Sequence, residues 1–368
     1  MESKKRIIIS GGGTGGHIFP AISIANALKR LDATTEILFV GANGRMEMEK
    51  VPAAGYKIIG LDIQGIQRKS IWKNLLFPIK LVMSVWKAFK IIKAFNPNAA
   101  VGVGGYASGP LLYAASLKSI PYLIQEQNSY AGITNKRLGK KAKKVCVAFD
   151  GMEKFFPFGK IIKTGNPIRK DSVNIAGKRM EALELFKLSA TKNTILVTGG
   201  SLGARTLNES VFAGLDKIIA ADTQLIWQTG KFYYKGIIEK LGENYHPNIC
   251  AVEFLNRMDL AYAAADVIIS RAGAGTIAEL CVVKKPVVLV PSPNVAEDHQ
   301  TKNALALVNE GAAVLVTDRD AKAELIDKAL DLLNNKEKQI KISENIGKMA
   351  MPDADEVIAK EVMKIAIG

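Results

Sequence analysis

The feature that most constrains the fold is an opening that occurs twice, consisting of an apolar strand, a glycine-rich turn and a helix-length segment. Residues 6–16 read RIIISGGGTGG and precede PAISIANALKRL, while residues 194–204 read TILVTGGSLGA and precede RTLNESVFAGL. Glycines after a buried strand let the backbone turn tightly, so that its N–H groups point toward an anion at the start of the next helix. Two such openings in one chain predict two Rossmann-like domains.

Short apolar runs alternate with helix-length segments in both halves of the chain, which predicts parallel sheets in an α/β architecture. In the first half the predicted strands are RIIIS, EILFV, AAVGVGG, PYLIQE and KVCVAF, and in the second half they are TILVTGG, QLIWQTG, ICAVEF, DVIISRAG, PVVLVP and AAVLVT. The turn-rich GNPIR at 165–169 predicts domains over 1–166 and 167–349. We expect the final helix, within 350–368, to pack back on the first domain.

The charge and the cysteines limit the function classes. A net charge of +15 attracts nucleic acid, anionic lipid or phosphorylated small molecules. No RNA-binding aromatic signature, zinc-finger spacing or basic zipper region is present, so nucleic acid is the weakest of the three. Cys146, Cys250 and Cys281 have no metal-binding spacing, and the N-terminal apolar run is too short for a signal peptide. These features predict a cytoplasmic protein without a disulfide framework.

The glycine turns do not match the commonest nucleotide motifs. Gly11, Gly13 and Gly16 formally fit G-x-G-x-x-G, but the strand EILFV is followed by GANG, without the acid that binds the ribose of NAD. The second turn lacks G-K-[ST], which disfavours a P-loop NTPase. A purely structural role for either turn remains open, because glycine turns are common at strand–helix junctions.

Eight motifs in order carry a resemblance to a known family. They are GGTGGHIFP (12–20), GVGGYASGP (102–110), EQNSYAGITNK (126–136), TGNPIR (164–169), GGSLGA (199–204), FLNRM (254–258), SRAGAGTIAE (270–279) and DHQTKNA (298–304). The chain resembles the MurG family, the UDP-N-acetylglucosamine transferases that convert lipid I to lipid II. It departs from the family at Gln125, where histidine is common.

The resemblance implies a GT-B fold, with two Rossmann-like domains facing across a cleft that holds the active site. UDP-N-acetylglucosamine would bind mainly to the C-terminal domain and polyprenyl-linked lipid I to the N-terminal domain. The reaction would be an inverting transfer to the C4 hydroxyl of the N-acetylmuramyl unit, giving a β-1,4 linkage. The enzyme would work as a peripheral protein on the cytoplasmic face of the plasma membrane, in peptidoglycan synthesis.

The site residues follow from the same motifs. Ser201, at the opening of the second-domain helix, suits the donor diphosphate, or is a plain N-cap serine. Glu279 can accept both ribose hydroxyls, or is a helix-start glutamate. Leu255 would meet uracil through its backbone. The predicted donor-binding residues are Thr14, Gly15, Gly16, Asn128, Arg169, Ser201, Leu255, Arg271, Ala274, Gly275, Thr276, Glu279 and Gln300. The predicted acceptor-binding residues are Gly13, Gly104, Gly105 and Tyr106.

Two residues compete for the role of general base. His17, at a helix start, suits removal of a proton from the attacking hydroxyl near neutral pH, but it equally suits a binding role. Glu126 is the alternative base. The D-x-D matches, Asp318–Asp320 and Asp353–Asp355, precede helical patterns and are interpreted as capping residues. We therefore expect no metal and no cofactor, with glycine loops, helix starts and arginine stabilising the leaving group.

A membrane-facing segment is predicted at residues 71–92, IWKNLLFPIKLVMSVWKAFKII. Pro78 and Lys80 interrupt it, which argues against a membrane span. Its predicted lipid-contacting residues are Trp72, Leu75, Leu76, Phe77 and Ile79, with Lys73, Lys80 and Lys87 meeting anionic head groups. An ordinary helix packed on the sheet remains the alternative.

Three other functions stay open at this point. Another GT-B enzyme with a lipid acceptor such as diacylglycerol is the nearest rival, and acceptor choice distinguishes it. A nicotinamide-dependent dehydrogenase would not bind UDP. A non-catalytic, membrane-docked nucleotide-binding module would bind the UDP-sugar without turnover.

Overall fold

The computed structural model describes residues 4–64, 77–242 and 246–367, and its chain divides into two units. The first unit comprises Met1–Ile168 and Met351–Gly368, and the second comprises Arg169–Ala350. These boundaries lie close to positions 166 and 350, where the sequence predicts the join and the return of the chain.

Seven parallel strands form the sheet of the first unit, in the order β3-β2-β1-β4-β5-β6-β7. The strands are β1 (Arg6–Gly11), β2 (Glu36–Ala42), β3 (Lys57–Leu61), β4 (Ala99–Gly104), β5 (Tyr122–Glu126), β6 (Lys144–Val147) and β7 (Ile161–Lys163). The five predicted strands are confirmed. The sequence misses β3 and β7, which form the two edges of the sheet and therefore lack a continuous buried run.

Helices cover both faces of this sheet. They are α1 (Gly15–Leu31), α2 (Glu47–Ala53), α3 (Phe77–Phe95), α4 (Ser108–Leu117), α5 (Ile133–Gly139) and, at the end of the chain, α16 (Ala354–Ile367). Successive strand residues point to opposite faces. Ile7 and Ile9 therefore share a core with α1 and α16, whereas Ile8 packs with α3 and α4.

The C-terminal helix α16 belongs to the core of the first unit. Its Ile358 and Val362 are fully buried in the cluster that includes Ile24 of α1. At one end of this contact, the guanidinium of Arg30 donates to the carboxylate of Asp355 at 2.6 Å.

The second unit has six parallel strands in the order β10-β9-β8-β11-β12-β13. They are β8 (Thr194–Thr198), β9 (Gln224–Gln228), β10 (Ile249–Val252), β11 (Val267–Ser270), β12 (Val287–Leu289) and β13 (Val314–Leu315), and all six were predicted. Two Rossmann-like units with parallel sheets confirm the predicted α/β fold class.

Ten helices are described in the second unit. They are α6 (Lys170–Val173), α7 (Arg179–Phe186), α8 (Arg205–Ala213), α9 (Leu215–Ala220), α10 (Tyr234–Leu241), α11 (Met258–Ala264), α12 (Ala274–Val283), α13 (His299–Val308), α14 (Ala321–Asn334) and α15 (Lys336–Lys348). Trp227 of β9 is fully buried with Val197 of β8 and Leu325 of α14 on one face of the sheet.

Candidate active site

Each sheet has a point where the strand order reverses, and four of the eight sequence motifs, at 12–20, 102–110, 199–204 and 270–279, lie there. In the first unit β1 lies between β2 and β4, so the loops after β1 and β4 are neighbours at the carboxyl edge. In the second unit the loops after β8 and β11 are neighbours in the same way. Open α/β sheets bind ligands outside these reversal points. The two units therefore each offer one candidate binding edge.

In the first unit, the loops after β1 and β4 are in backbone contact. The N–H of Gly12 donates to the carbonyl of Gly104 at 3.3 Å. A Cβ atom on Gly105 would lie 2.3 Å from the carbonyl oxygen of Gly12, and Gly104 and Gly105 have φ values of +104° and +90°. Only glycine combines this closeness with these φ values, so both positions shape the site.

His17 lies in the first turn of α1, directly against this pair of loops. A Cβ atom on Gly104 would lie 2.8 Å from the imidazole ring. The Nδ1 atom of His17 is 2.9 Å from Oε1 of Gln127, a buried residue just after β5. The sequence alone assigns no role to Gln127, although this residue stands between the predicted site residues Glu126 and Asn128.

Glu47 of α2 is a second residue that the sequence does not predict. Its buried carboxylate accepts hydrogen bonds from the N–H groups of Gly13, at 2.8 Å, and Ala42, at 3.0 Å. If Gly13 contacts the acceptor substrate, it must therefore do so through atoms other than its N–H. Thr14 is the N-cap of α1, and Gly15 and Gly16 are its first residues. The N–H groups of such a first turn have no acceptor within the helix.

Glu126 holds the loop that follows β5. Its buried carboxylate accepts from the N–H of Asn128 at 3.1 Å, the N–H of Gly132 at 3.1 Å and the side-chain amide of Asn135 at 2.8 Å. Three donors at one carboxylate favour a structural role over that of a base.

Tyr106 stands at the exposed side of the first-unit site. Its ring lies next to Gly13, where a Cβ atom would be 3.7 Å from it, and it is partly exposed. The guanidinium of Arg45 lies 5.6 Å from the ring centroid. This cation was not predicted, and it places positive charge at the predicted acceptor loop.

The second glycine turn has a different shape from the predicted one. Gly200 and Gly203 have φ values of +85° and +87°, and they prolong the turn so that α8 begins at Arg205. The interpretation of Ser201 as the residue that opens this helix, or as its N-cap, is therefore wrong. Ser201 is an exposed loop residue whose carbonyl accepts from the N–H of Lys231 at 3.2 Å.

Glu279 lies in the second turn of α12, after Ala274, Gly275 and Thr276, so it is not a helix-start residue. The buried hydroxyl of Tyr262 donates to its Oε2 at 3.1 Å. The surrounding protein desolvates the carboxyl and raises its pKa, while the charge of Arg169 and the Tyr262 hydrogen bond act in the opposite direction. Tyr262 was not predicted.

Three further residues predicted to bind the UDP-sugar make hydrogen bonds within the second unit. The N–H of Leu255 donates to Oε1 of Gln228 at 3.1 Å, and Oε1 of Gln300 accepts from the N–H of Ser292 at 2.9 Å. The guanidinium of Arg271 donates to Asp318 at 2.5 Å and also to the carbonyls at 290 and 291. Much of the charge of Arg271 is therefore balanced within the protein.

The D-x-D matches are used in ion pairs. Asp318 pairs with Arg271, and Asp320 pairs with Arg319 at 3.0 Å. Asp320 stands at the N-cap position of α14, but its side chain makes no capping hydrogen bond. In the part of the chain that the structure describes, no group of three or more His, Cys, Asp or Glu residues could hold a metal ion.

The predicted membrane segment is described only from Phe77 onward, so Trp72, Leu75 and Leu76 lie outside the described residues. Phe77 begins α3 and is partly buried. Four exposed apolar residues share one face of this helix at helical spacing, and we call them the α3 stripe: Ile79, Val82, Met83 and Trp86. The Nζ atom of Lys90 lies 3.5 Å from the ring centroid of Trp86. No described helix is long and apolar enough to cross a bilayer.

Known proteins match the whole length of this architecture. Models of the glycosyltransferase family 28 N-terminal and C-terminal domains match residues 7–147 and 194–358. A Bacteroides fragilis protein described as UDP-N-acetylglucosamine–N-acetylmuramyl-(pentapeptide) pyrophosphoryl-undecaprenol N-acetylglucosamine transferase is 58% identical over 363 residues, which cover 98% of this chain and 96% of that protein. A Cytophaga hutchinsonii protein with the same description is 55% identical over 360 residues, covering 98% and 96%.

A solved structure agrees with these relatives. The crystal structure of MurG from Acinetobacter baumannii superposes with a TM-score of 0.79 at 29% identity, covering 98% of this chain and 99% of that chain. The strand–turn–helix openings, the eight motifs and the paired parallel sheets thus have one common explanation. This chain belongs to the MurG family of N-acetylglucosamine transferases, whose two domains are those of glycosyltransferase family 28.

Proposed function

We propose that this enzyme transfers N-acetylglucosamine from UDP-N-acetylglucosamine to the C4 hydroxyl of the N-acetylmuramyl unit of lipid I, forming lipid II. The observation that carries this proposal is 58% identity, over nearly the whole chain, to the Bacteroides fragilis protein, whose name describes a transfer of this kind. The reaction is a hexosyl transfer with inversion, in which C1 of the donor sugar forms a bond to O4 as its bond to the diphosphate breaks.

The donor binds to the second unit. Glu279 offers one carboxylate oxygen to the ribose hydroxyls, because Tyr262 already occupies the other. Since the N–H of Leu255 is bonded to Gln228, the carbonyl of Leu255 is the group that accepts from uracil. Gln300 donates its amide NH2 to a sugar hydroxyl, because its oxygen is bonded to the N–H of Ser292.

The diphosphate lies against Ser201 and the first turn of α12. Ala274, Gly275 and Thr276 begin that helix, and the N–H groups and dipole of a helix N-terminus favour a phosphate. Arg169 adds positive charge, whereas Arg271 contributes less, because Asp318 balances much of its charge. This arrangement replaces a metal ion in stabilising the leaving UDP, so we expect activity to persist in EDTA. Strict dependence of the chemical step on Mg²⁺ would contradict this part of the proposal.

The acceptor binds to the first unit, and His17 removes its proton. Gly104 lies directly against the ring of His17, Gly105 lies against the backbone of Gly12, and Tyr106 lies next to Gly13, so the predicted acceptor-binding residues belong to the two loops beside the base. His17 is favoured over Glu126 because the glutamate carboxylate already accepts three hydrogen bonds. Thr14, Gly15, Gly16 and Asn128 contact the donor sugar from this unit.

The enzyme docks on the cytoplasmic face of the plasma membrane through the α3 stripe. The stripe is exposed, whereas the opposite face of α3 is buried in the first unit at Ser84, Ala88, Ile91 and Ile92. Lysines on the same helix supply charge for anionic head groups. A lipid-linked substrate requires the enzyme to reach this surface.

The test is transfer of radiolabelled sugar from UDP-N-acetylglucosamine to a lipid I analogue in a cell-free assay. Labelled disaccharide-lipid supports the proposal. Label in diacylglycerol alone would favour another lipid glycosyltransferase. Binding of the UDP-sugar without transfer would favour a non-catalytic module, and failure to bind UDP would revive the dehydrogenase.

A further inference from the structure

Gln127 connects the end of β5 to the imidazole of His17, and no motif assigns it a role. Its side chain is 5% exposed. Nε2 donates to the carbonyl of Val103 at 3.2 Å, and Oε1 lies 2.9 Å from Nδ1 of His17. Its own backbone carbonyl accepts from the side-chain amide of Asn166 at 3.0 Å. The residue is thus held at three points.

These contacts fix the direction of the hydrogen bond to His17. A backbone carbonyl only accepts hydrogen bonds, so the group of Gln127 that faces Val103 must be its NH2. The amide oxygen then faces His17, and because this oxygen cannot donate, Nδ1 must carry the hydrogen. In a neutral imidazole the other nitrogen, Nε2, then carries the lone pair.

A separate contact fixes the position of the ring. Gly104 has a φ of +104°, and a side chain there would collide with the imidazole. The ring therefore lies directly on the backbone after β4, while Gln127 determines which of its nitrogens is protonated. Position and protonation are controlled by different residues.

We propose that Gln127 is a positioning residue that holds His17 in the Nδ1–H tautomer, so that Nε2 receives the proton of the acceptor hydroxyl. This proposal rests on the proposed function, in which His17 is the base. In the transfer step O4 bonds to C1, its proton moves to Nε2, and UDP leaves with the electron pair of the broken C1–O bond.

The tautomer can be observed directly by ¹⁵N NMR of the full-length enzyme labelled in its histidines. The chain has three histidines, so His17→Gln identifies the signals of His17. At a pH where the imidazole is neutral, we expect Nδ1 of the wild-type enzyme to be protonated. Gln127→Leu removes the acceptor, and the Nε2–H form should then be populated.

A matched control separates this effect from the loss of any buried glutamine. Gln125 is a buried residue of β5, and its side chain donates to Asn166 at 2.8 Å, not to His17. Because Asn166 also donates to the backbone carbonyl of Gln127, this variant controls for changes that reach position 127 through Asn166. Gln125→Leu should leave His17 in the Nδ1–H form.

Kinetics supply the second measurement. Gln127→Leu should lower kcat by at least about tenfold, within the roughly 10²–10⁴ that a general base contributes. The KM for UDP-N-acetylglucosamine should change by less than about twofold, because the side chain of Gln127 bonds to His17 and Val103, neither of which is a predicted donor-binding residue. A merely structural role would not separate kcat from KM in this way.

Gln127→Glu is the rescue variant, because a carboxylate also accepts from Nδ1–H. Its charge stabilises the imidazolium form, so the acidic limb of the kcat/KM profile should move to higher pH, and turnover should recover in alkaline solution. The charged groups of the surrounding elements are Glu47 at Gly13, Arg45 at Tyr106 and Glu126 in the loop after β5. They are the same in every variant, so the shift reports on position 127.

An unprotonated Nδ1 in the wild-type enzyme would overturn the proposal, as would a tautomer or kcat that Gln127→Leu leaves unchanged. If Gln127→Leu does not fold, the wild-type ¹⁵N spectrum and the pH profile of Gln127→Glu still test the proposal. Absence of transfer by the wild-type enzyme would instead reject the proposed function, which the spectrum does not test.

Discussion

The glycine turns of the two units begin alike in sequence and end differently in structure. In the first unit the turn is short, α1 begins at Gly15, and the N–H of Gly13 is bonded to the buried carboxylate of Glu47. In the second unit the turn continues to Ala204, and the carbonyls of Gly200, Ser201 and Leu202 accept hydrogen bonds from within the unit. In the first turn the carboxylate of Glu47 accepts from a backbone N–H, whereas in the second turn the backbone carbonyls accept from the N–H groups of Gly203, Lys231 and Phe232.

This difference separates two tasks that a strand–turn–helix unit can perform. A turn whose N–H is already bonded to an acid is a poor anion site but a rigid support, and in the first unit it supports His17. In the second turn the N–H of Gly203 is bonded to the carbonyl of Gly200, so an anion would meet the N–H groups that precede Gly203 and the start of α8. We therefore expect changes that displace His17 to lower kcat and changes at the second turn to weaken donor binding.

The largest effect should follow from His17→Ala. We expect kcat to fall by about 10²–10⁴, because the general base is lost, with donor binding retained. Turnover with the lipid I analogue and UDP-N-acetylglucosamine affinity by calorimetry measure the two quantities. An unchanged kcat would show that His17 is not the general base. The first turn would then have a binding role, as the second turn does.

A matched pair of glycine substitutions tests the division of tasks. Gly104→Ala brings a methyl group against His17, and Gly203→Ala brings one within 2.2 Å of the carbonyl of Thr229. Both positions have positive φ, so each variant carries a similar backbone penalty of about 1–2 kcal/mol.

The two variants should nevertheless differ in kinetics. Gly104→Ala should lower kcat by roughly tenfold to a hundredfold, as the base is displaced. Gly203→Ala should raise the KM for the donor by about tenfold with a smaller change in kcat. If both variants change the same parameter, the two turns do not have separate roles.

Sequence predicts the central strands well, because they are buried runs between recognisable turns. It misses β3 and β7 because an edge strand needs no continuous apolar run. It places Ser201 at a helix start because it cannot foresee that two glycines with positive φ prolong the turn.

The partners of the site residues are harder to predict than the residues themselves. Glu47 lies 34 residues from Gly13, and nothing in the local pattern connects them. Gln127 is adjacent to two predicted residues, yet its role depends on the carbonyl of Val103, on a different strand. Tertiary placement creates both hydrogen bonds, so only the structure reveals them.

Glu47→Gln tests whether the first turn needs the carboxylate of Glu47 as the acceptor for its backbone N–H. Glutamine keeps one acceptor oxygen, but its NH2 group faces a backbone N–H, which then loses its partner. An unsatisfied buried donor costs about 1–3 kcal/mol, which should appear in the free energy of unfolding measured with urea. Glu49→Gln on the same helix is the control, since Glu49 is exposed and pairs with Lys50 at the surface, and it should cost less than about 0.5 kcal/mol. Equal stability of the two variants would show that Glu47 is not needed by the turn.

The smallest effect on the isolated reaction should come from the α3 stripe, which neither turn contacts through a described hydrogen bond. Trp86→Ser removes an exposed apolar side chain, and partial burial of such a side chain in lipid is worth about 1 kcal/mol, so binding to anionic vesicles should weaken roughly fivefold. Ile340→Ser, at a similarly exposed position of the second unit, should leave vesicle binding unchanged. Donor affinity should be the same in both variants, because membrane contact and sugar transfer use different surfaces.

Vesicle sedimentation measures membrane binding, and calorimetry measures donor affinity. Equal vesicle binding by Trp86→Ser and the wild-type enzyme would assign the stripe to another partner, whereas a parallel loss of donor affinity would mean that α3 supports the site itself.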